Sequence, residues 1–451
     1  MPASSISNLS AKHLEEVRAH YDGAADGLQA GARAYRRRLA HYYNLLIPAD
    51  ARVLEVGCGA GDLLALLHAH DVSGIDLSAR RVARARSQVP HGHFFVMAGE
   101  TLDSEALGGA FDVIVISDTL NLAADVQNSL WRPLLSLAAL IGLKSQQPEN
   151  SWLASSDVLN LLRLAGWRAV TREGRILAPF SALGLGTFAN RWLAPLLQWF
   201  CLTVFITARR EGNRATAGAP TVSVIIPARN AAVERVPKMG AGLELIFVEG
   251  HSRDNTWAEI QRVAAAHPEK RIICLRQTGR GKGDAVRAGF AAAKGDVLMI
   301  LDADLTMPPE ELPKFLDVIA RDRADFANGV RLVYPMERRA MQFLNLCANK
   351  AFGLIFSWLL GQPVKDTLCG TKVLRRTDYE RIAANRSYFG DFDPFGDFDL
   401  LFGAAKQSLR IADVPIRYRE RTYGTTNIQR WRHGWLLLRM VIFAARKLKF
   451  V

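Results

Sequence analysis

The chain has 451 residues, 49% hydrophobic and 22% charged, which excludes a disordered chain and leaves room for at least two domains. Its formal net charge of +13 calls for an anionic partner: nucleic acid, a phospholipid surface or a phosphorylated substrate. Cys58, Cys201, Cys274, Cys347 and Cys369 are scattered without C-x-x-C spacing and read as reduced, hence cytoplasmic. No signal-peptide pattern is evident, and no apolar run reaches the ~20 residues that span a bilayer.

Residues 1–50 read as helical and polar, with basic Arg36, Arg37 and Arg38 and the pair Tyr42, Tyr43. A strand over Val53–Val56, carrying Glu55, then runs into Gly57-Cys58-Gly59-Ala60-Gly61, and Asp62 is expected to cap an apolar helix. Glycines there let backbone approach a ligand beside a helix N-terminus. The next strand ends at Asp76, where a carboxylate can take both ribose hydroxyls of a nucleoside; a third ends at Glu100, and a fourth covers Phe111–Ser117.

An amphipathic helix is expected within Asn150–Gly166, with Leu159 and Leu162 inward. WRAV and CLTVFITARR are expected to close the first sheet. The run Trp192–Ala208 reads as a core strand rather than a membrane segment. Glu211–Pro220 loses hydrophobicity and gains small residues, giving domains at 1–212 and 221–451 joined by a linker over 213–220.

The second domain opens on a buried strand broken at Pro227, followed by a strand ending in Glu249 and a turn with Ser252 and Asp254. Lys282, flanked by Gly279, Gly281 and Gly283, opens a helix but lacks the frame of a P-loop. Val297–Leu301 is a fully apolar strand that stops at Asp302 and Asp304. Two apart on extended backbone, these side chains project to one side, and Pro308 and Pro309 forbid the strand to continue. Carboxylates at the end of a buried parallel strand lie where open α/β sheets place ligands, and hard oxygens suit Mg²⁺ or Mn²⁺.

Further on, Glu337–Leu360 is apolar nearly all round, so buried or interfacial. Asp391, Asp393, Asp397 and Asp399 crowd the start of another helix, more acids than capping alone needs. From Arg417 to Lys449 there are nine Lys or Arg and one acid. The last helix, Ile428–Phe450, carries an apolar stripe (Trp431, Trp435, Leu438, Ile442) and, on another side, Arg432, Arg439 and Arg446. That combination suits an anionic bilayer surface.

Two family resemblances follow from these motifs. The glycine loop with Asp76 and Glu100 in βαβ order resembles class I S-adenosylmethionine-dependent methyltransferases over roughly residues 30–210. It implies a Rossmann-like fold, with Glu55, Gly57, Gly59 and Gly61 at the methionine portion of S-adenosyl-L-methionine, Asp76 on its ribose and Glu100 near its adenine. Over residues 221–451, the succession VSVIIPARN, VEGHSRDNT, GKGDAVRAG and DADLTMPPEEL resembles family-2 glycosyltransferases of glycosyltransferase-A fold. It implies a nucleotide-sugar donor, with Asp302 and Asp304 holding the divalent ion and Pro227, Glu249, Asp254 and Lys282 at the donor.

The final third resembles the dolichyl-phosphate mannosyltransferase group, which implies a polyprenyl phosphate acceptor, with Arg331 and Arg421 as phosphate-binding residues of the donor site. Thr306 stands where such relatives often carry Gln, and Glu249-Gly250 where Asp-Asp is common. An acceptor hydroxyl on a glycan stays open beside it; that chemistry needs Asp397 or Asp399 as base, whereas a phosphate does not. A basic nucleic-acid-binding protein is a third reading, but no aromatic-interleaved platform or recognition motif is present, so no nucleic acid is expected. The whole reads as an α/β enzyme of two mostly parallel sheets, peripheral on the inner membrane face.

Overall fold

A computed structural model describes residues 30–117, 154–179, 184–212, 218–227, 233–252, 255–331, 343–385, 396–419 and 430–451. It also describes Glu15, Arg18, Ala19, Asp22, Ala124–Asp125, Ser151–Trp152 and Arg214. The chain divides into two compact units: Met1–Leu162 with Glu173–Phe205, and Arg163–Arg172 with Ile206–Val451.

In the first unit, helix α1 (Ala30–Leu46) precedes four parallel strands: β1 (Arg52–Val56), β2 (Asp71–Asp76), β3 (His93–Val96) and β4 (Val113–Ile116). They lie in the order β3-β2-β1-β4, with helix α2 (Ala79–Gln88) connecting β2 to β3. Val53, Leu54, Val72 and Ile75 are fully buried, as apolar runs covered on both faces must be.

Three expectations fail here. The helix after the glycine loop is a single 3-10 turn, Leu64–Leu66, and Asp62 accepts from Gln88 Nε2 instead of capping it. The strands expected to close this sheet, β7 (Trp167–Ile176) and β8 (Thr203–Arg210), pair with each other instead. Bonds from Leu202 N to Ile176 O and Glu211 N to Gly166 O make the pair antiparallel. The run Trp192–Ala208 is a strand only from Thr203; Leu185–Phe200 is a series of helical turns whose large apolar side chains face out. Helix α3 (Ser155–Leu164) turns Val158 inward with Leu159 and Leu162 partly buried, as expected, and leaves Leu161 and Leu164 exposed; β5 (Ala124–Asp125) pairs with β6 (Ser151–Trp152).

The second unit is built on seven strands in the order β11-β10-β9-β12-β14-β13-β15. β9 (Thr221–Pro227), β10 (Gly242–Glu249), β11 (Arg271–Arg276) and β12 (Val297–Ile300) run parallel. β14 (Lys372–Arg375) is antiparallel to β12 and β13 (Phe326–Val330), and β15 (Ile411–Pro415) runs parallel to β13. Helices α4 (Thr256–Ala266), α5 (Lys282–Ala292), α6 (Leu312–Ala320), α7 (Phe343–Leu360), α8 (Arg376–Ala384), α9 (Asp397–Lys406) and α10 (Arg430–Leu448) accompany it. Two apolar cores form, one around Ile225, Phe290, Phe356 and Phe398, the other around Val224, Phe247, Met299 and Phe315.

Buried ion pairs tie the strand edges together. Arg410 binds Asp322 and Asp325, and Arg214, from the segment expected as linker, reaches Asp325 at 3.2 Å and Asp378 at 2.9 Å. Helix α10 packs Leu437, Met440, Val441 and Ala444 inward. Trp435, Leu438, Arg439, Ile442 and Arg446 face out, so the apolar and basic residues expected on separate sides share the exposed one. The side chains of Trp431 and Arg432 lie outside the described residues.

Candidate active sites

The two candidate sites occupy the C-terminal ends of parallel strands. In the first unit Gly57, Gly59 and Gly61 all adopt positive φ, which L side chains rarely adopt, so the loop turns tightly off β1. Its Gly57 and Cys58 amides both donate to Ile75 O. The Asp76 carboxylate accepts from Gly59 N and Ser78 N, each at 2.9 Å, joining the loop to the start of α2. Ser78 caps that helix by accepting from Arg81 N. Glu55 is buried under the loop, and Glu100 is exposed in the 3-10 turn Gly99–Thr101 after β3. Burial pushes the Cys58 thiol far up, so it acts as an inert apolar group.

In the second unit Asp302 and Asp304 follow β12, but not on extended backbone. Leu305 N donates to Asp302 O at 3.1 Å, and buried Leu305 takes φ +50°, a conformation that costs a non-glycine residue about 1–2 kcal/mol. The chain therefore turns between the two acids, and Asp304 Oδ1 is held by the Thr306 hydroxyl at 2.8 Å.

Residues distant in sequence meet at Asp302. Lys282 Nζ lies 2.6 Å from Asp302 Oδ1 and 3.9 Å from Asp397 Oδ2. Burial alone would lower the lysine's pKa; the two carboxylates outweigh it and leave it raised, so Lys282 is a fixed cation. Two glycines that motif reading passed over make this possible. A Cβ on Gly370 would fall 2.0 Å from Asp302 Oδ2 and 2.2 Å from Lys282 Nζ; one on Gly396 would fall 2.7 Å from Gly283 Cα. Gly396 also has φ +74° and immediately precedes α9, so the starts of α5 and α9 converge beside Asp302. Asp397 and Asp399, both buried, sit in the first turn of α9.

The remaining predicted residues lie around this centre or outside the described set. Pro227 ends β9, and Glu249, buried at the end of β10, accepts from Ser252 N and lies 3.8 Å from Arg276. Burial works to raise the Glu249 pKa, but hydrogen bonds from the Ser252 amide and hydroxyl and the His251 amide, with the Arg276 charge, leave it lowered. Arg331 is clamped bidentately by Asp366, with Nε–Oδ2 at 2.7 Å and Nη2–Oδ1 at 2.8 Å. Asp366 was not singled out from the sequence; its only signal there is the DTLCGT segment it opens. Asp254, Asp391, Asp393 and Arg421 lie outside the described residues.

Both units match known protein families. The model of glycosyl transferase family 2 matches residues 223–382, and that of a methyltransferase domain matches residues 53–136. The chain is 35% identical over 191 residues to the dolichyl-phosphate hexose transferase of Haloferax volcanii, covering 42% of this chain and 76% of that relative. It is 30% identical over 217 residues to the polyprenol monophosphomannose synthase of Mycolicibacterium smegmatis, covering 46% and 80% respectively. The chain belongs to glycosyl transferase family 2. Its first unit adds a methyltransferase domain, so this family 2 member is a fusion of two enzyme domains. The dolichol-phosphate mannosyltransferase of Pyrococcus furiosus is 32% identical over 176 residues, 36% of this chain and 49% of that relative; the chain spans about half its length.

Proposed function

We propose that the second unit moves a sugar with inversion from a nucleotide-sugar to polyprenyl phosphate at the inner membrane face, aided by a divalent ion. The observation that carries this reading is the meeting of Lys282, Asp302 and Asp397 beneath Gly370, where two helices of more than eight residues begin. Helix starts and a fixed ammonium favour a bound diphosphate. The relatives that share most of their length with this chain are named for transfer to polyprenol or dolichyl phosphate. A phosphate acceptor is already anionic and needs no base.

Asp302 and Asp304 supply the hard oxygens that suit Mg²⁺ or Mn²⁺. Among the described residues no group of three or more His, Cys, Asp or Glu is set to hold a metal. Two carboxylates with the remainder contributed by donor phosphates is the usual pattern for Mg²⁺. When bound, the ion offsets charge building on the leaving nucleoside diphosphate. Lys282 holds Asp302 in place and adds positive charge at the same position. Glu249 serves the nucleoside end, while Arg331, aimed by Asp366, and Arg421 serve phosphate of the same donor.

One observation favours a hydroxyl acceptor as second reading: Asp397 is buried and within 3.9 Å of Lys282, a place from which a base could act. A screen of UDP- and GDP-sugars with Mn²⁺ and undecaprenyl phosphate tests the choice. Transfer to the lipid phosphate supports the first reading; turnover only with glycan acceptors replaces it.

The first unit we read as binding S-adenosyl-L-methionine in the loop Gly57–Gly61 with Asp76 on the ribose. The positive φ of these three glycines turns the backbone tightly at the end of β1, where parallel sheets place ligands. Attachment is peripheral, through the outward face of α10; no described helix is long and apolar enough to cross a membrane.

A further inference from the structure

The segment Leu185–Phe200 of the first unit inverts the usual pattern of a surface helix. Its inward positions are small or polar: Gly186, Asn190 and Ala194 are buried. Asn190 pins the turns to the end of β7, accepting from Leu177 N and Ala178 N at 2.8 Å and donating to Ala178 O at 2.7 Å. The outward positions are large and apolar. Leu185 is 65% exposed, Phe188 58%, Leu196 59% and Trp199 67%, with Trp192 between them. Their spacing of three and four residues sets them along one side of the turns. A stripe of this kind does not face water by default.

The surroundings are basic. Arg38 of α1 donates to Thr187, and the guanidinium of Arg191 lies 5.6 Å from the Trp192 ring. His41 has its pKa lowered, first by burial and then by the nearby charges of Arg175, Arg191 and Arg38. No Asp or Glu occurs between Glu173 and Glu211, or between Asp26 and Asp50. Arg175 is paired with Glu173, which leaves Arg38 and Arg191 as the basic rim. Apolar and Trp side chains rimmed by arginine match the boundary of an anionic bilayer, where indole rings sit at the headgroups and arginine meets lipid phosphate. Sixteen residues at about 1.5 Å each reach ~24 Å, short of a hydrocarbon core, so the segment lies in the interface rather than across it.

We propose that Leu185–Phe200 is a membrane-interfacial anchor of the methyltransferase unit, inserting its Leu, Phe and Trp side chains into an anionic leaflet. It uses residues separate from α10 and does not depend on the sugar-transfer reading.

The test is co-sedimentation of the full chain with phosphatidylcholine vesicles, with and without phosphatidylglycerol. Phe188→Ser, Leu196→Ser and Trp199→Ser are combined, both alone and in a background carrying Trp435→Ser, Leu438→Ser and Ile442→Ser. Binding of the anionic vesicles is expected to fall at least tenfold in each background, with the melting temperature little changed. Binding within twofold of the parent in both backgrounds overturns the anchor. So does a dimer that the triple variant splits while vesicle binding persists, since the stripe is then a subunit contact. If the triple variant does not fold, Trp199→Phe keeps the apolar bulk: brominated lipid should quench wild-type fluorescence more than that of the variant, and equal quenching overturns the proposal.

Discussion

Gly370 packs so closely on Asp302 that a Cβ at that position would fall 2.0 Å from the carboxylate Oδ2. The glycine's absent side chain is therefore part of the geometry of the acidic turn. Gly370→Ala should keep the fold, since the added methyl displaces the end of a side chain rather than backbone. A displacement of about 1 Å at a reacting centre costs on the order of 10²-fold in rate. Donor turnover for wild type and variant, with circular dichroism as the control for folding, checks this; activity within a few-fold of wild type contradicts it.

Asp304→Asn keeps size and hydrogen bonding but removes the charge proposed to hold the ion. Loss of such a charge-stabilising group costs ~10²–10³ in turnover. EDTA should silence the wild type, and Mn²⁺ should restore it. Asp397→Asn separates the acceptors, because a hydroxyl acceptor loses its base whereas a polyprenyl phosphate tolerates the change far better. An EDTA-resistant enzyme removes the metal from the proposal.

Asp76 joins the glycine loop to α2 through Gly59 N and Ser78 N. Asp76→Ala should weaken S-adenosylmethionine about ten- to a hundredfold, the worth of hydrogen bonds to a charged partner at ~1.5–3 kcal/mol. Calorimetry reads the affinity, and sugar transfer should stay intact. No binding by the wild type would make this unit a repurposed fold.

Asp325 is fully buried against Arg410. Burial pushes its pKa up, but the Arg410 hydrogen bonds and charge prevail and hold it at about 2. A folded pKa below the unfolded value near 3.9 stabilises the protein at neutral pH by roughly 2.5 kcal/mol; that is fully present above pH ~4 and lost as pH falls through ~2. Asp325→Asn should be destabilised at pH 7, and the gap to wild type should narrow steadily below pH 4 in urea titrations. A gap independent of pH refutes the linkage.

Replacing Arg432, Arg439 and Arg446 together by Gln should weaken binding to anionic vesicles by roughly two orders of magnitude, at about 1 kcal/mol per basic residue. Unchanged co-sedimentation leaves α10 as packing alone.

Much of the fold is legible in the local sequence. Apolar runs such as Val224–Ile226 and Val297–Leu301 are local, and so are the breaks that end them at Pro227 and Asp302; strand, terminus and acid can be read from adjacent letters. The glycine loop with Asp76 is similarly local, since βαβ order places its parts at neighbouring strand ends. What tertiary structure alone decided involves residues far apart in the chain. Gly370 and Gly396 matter because backbone passes Asp302 and Gly283 there, and Asp366 because it clamps Arg331 from 35 positions away. The run Trp192–Ala208, expected as a core strand, instead forms helical turns up to Phe200. A stripe of apolar residues records which side chains share a side of the chain but not which side meets water, and only the packing of Asn190 and Ala194 settled that.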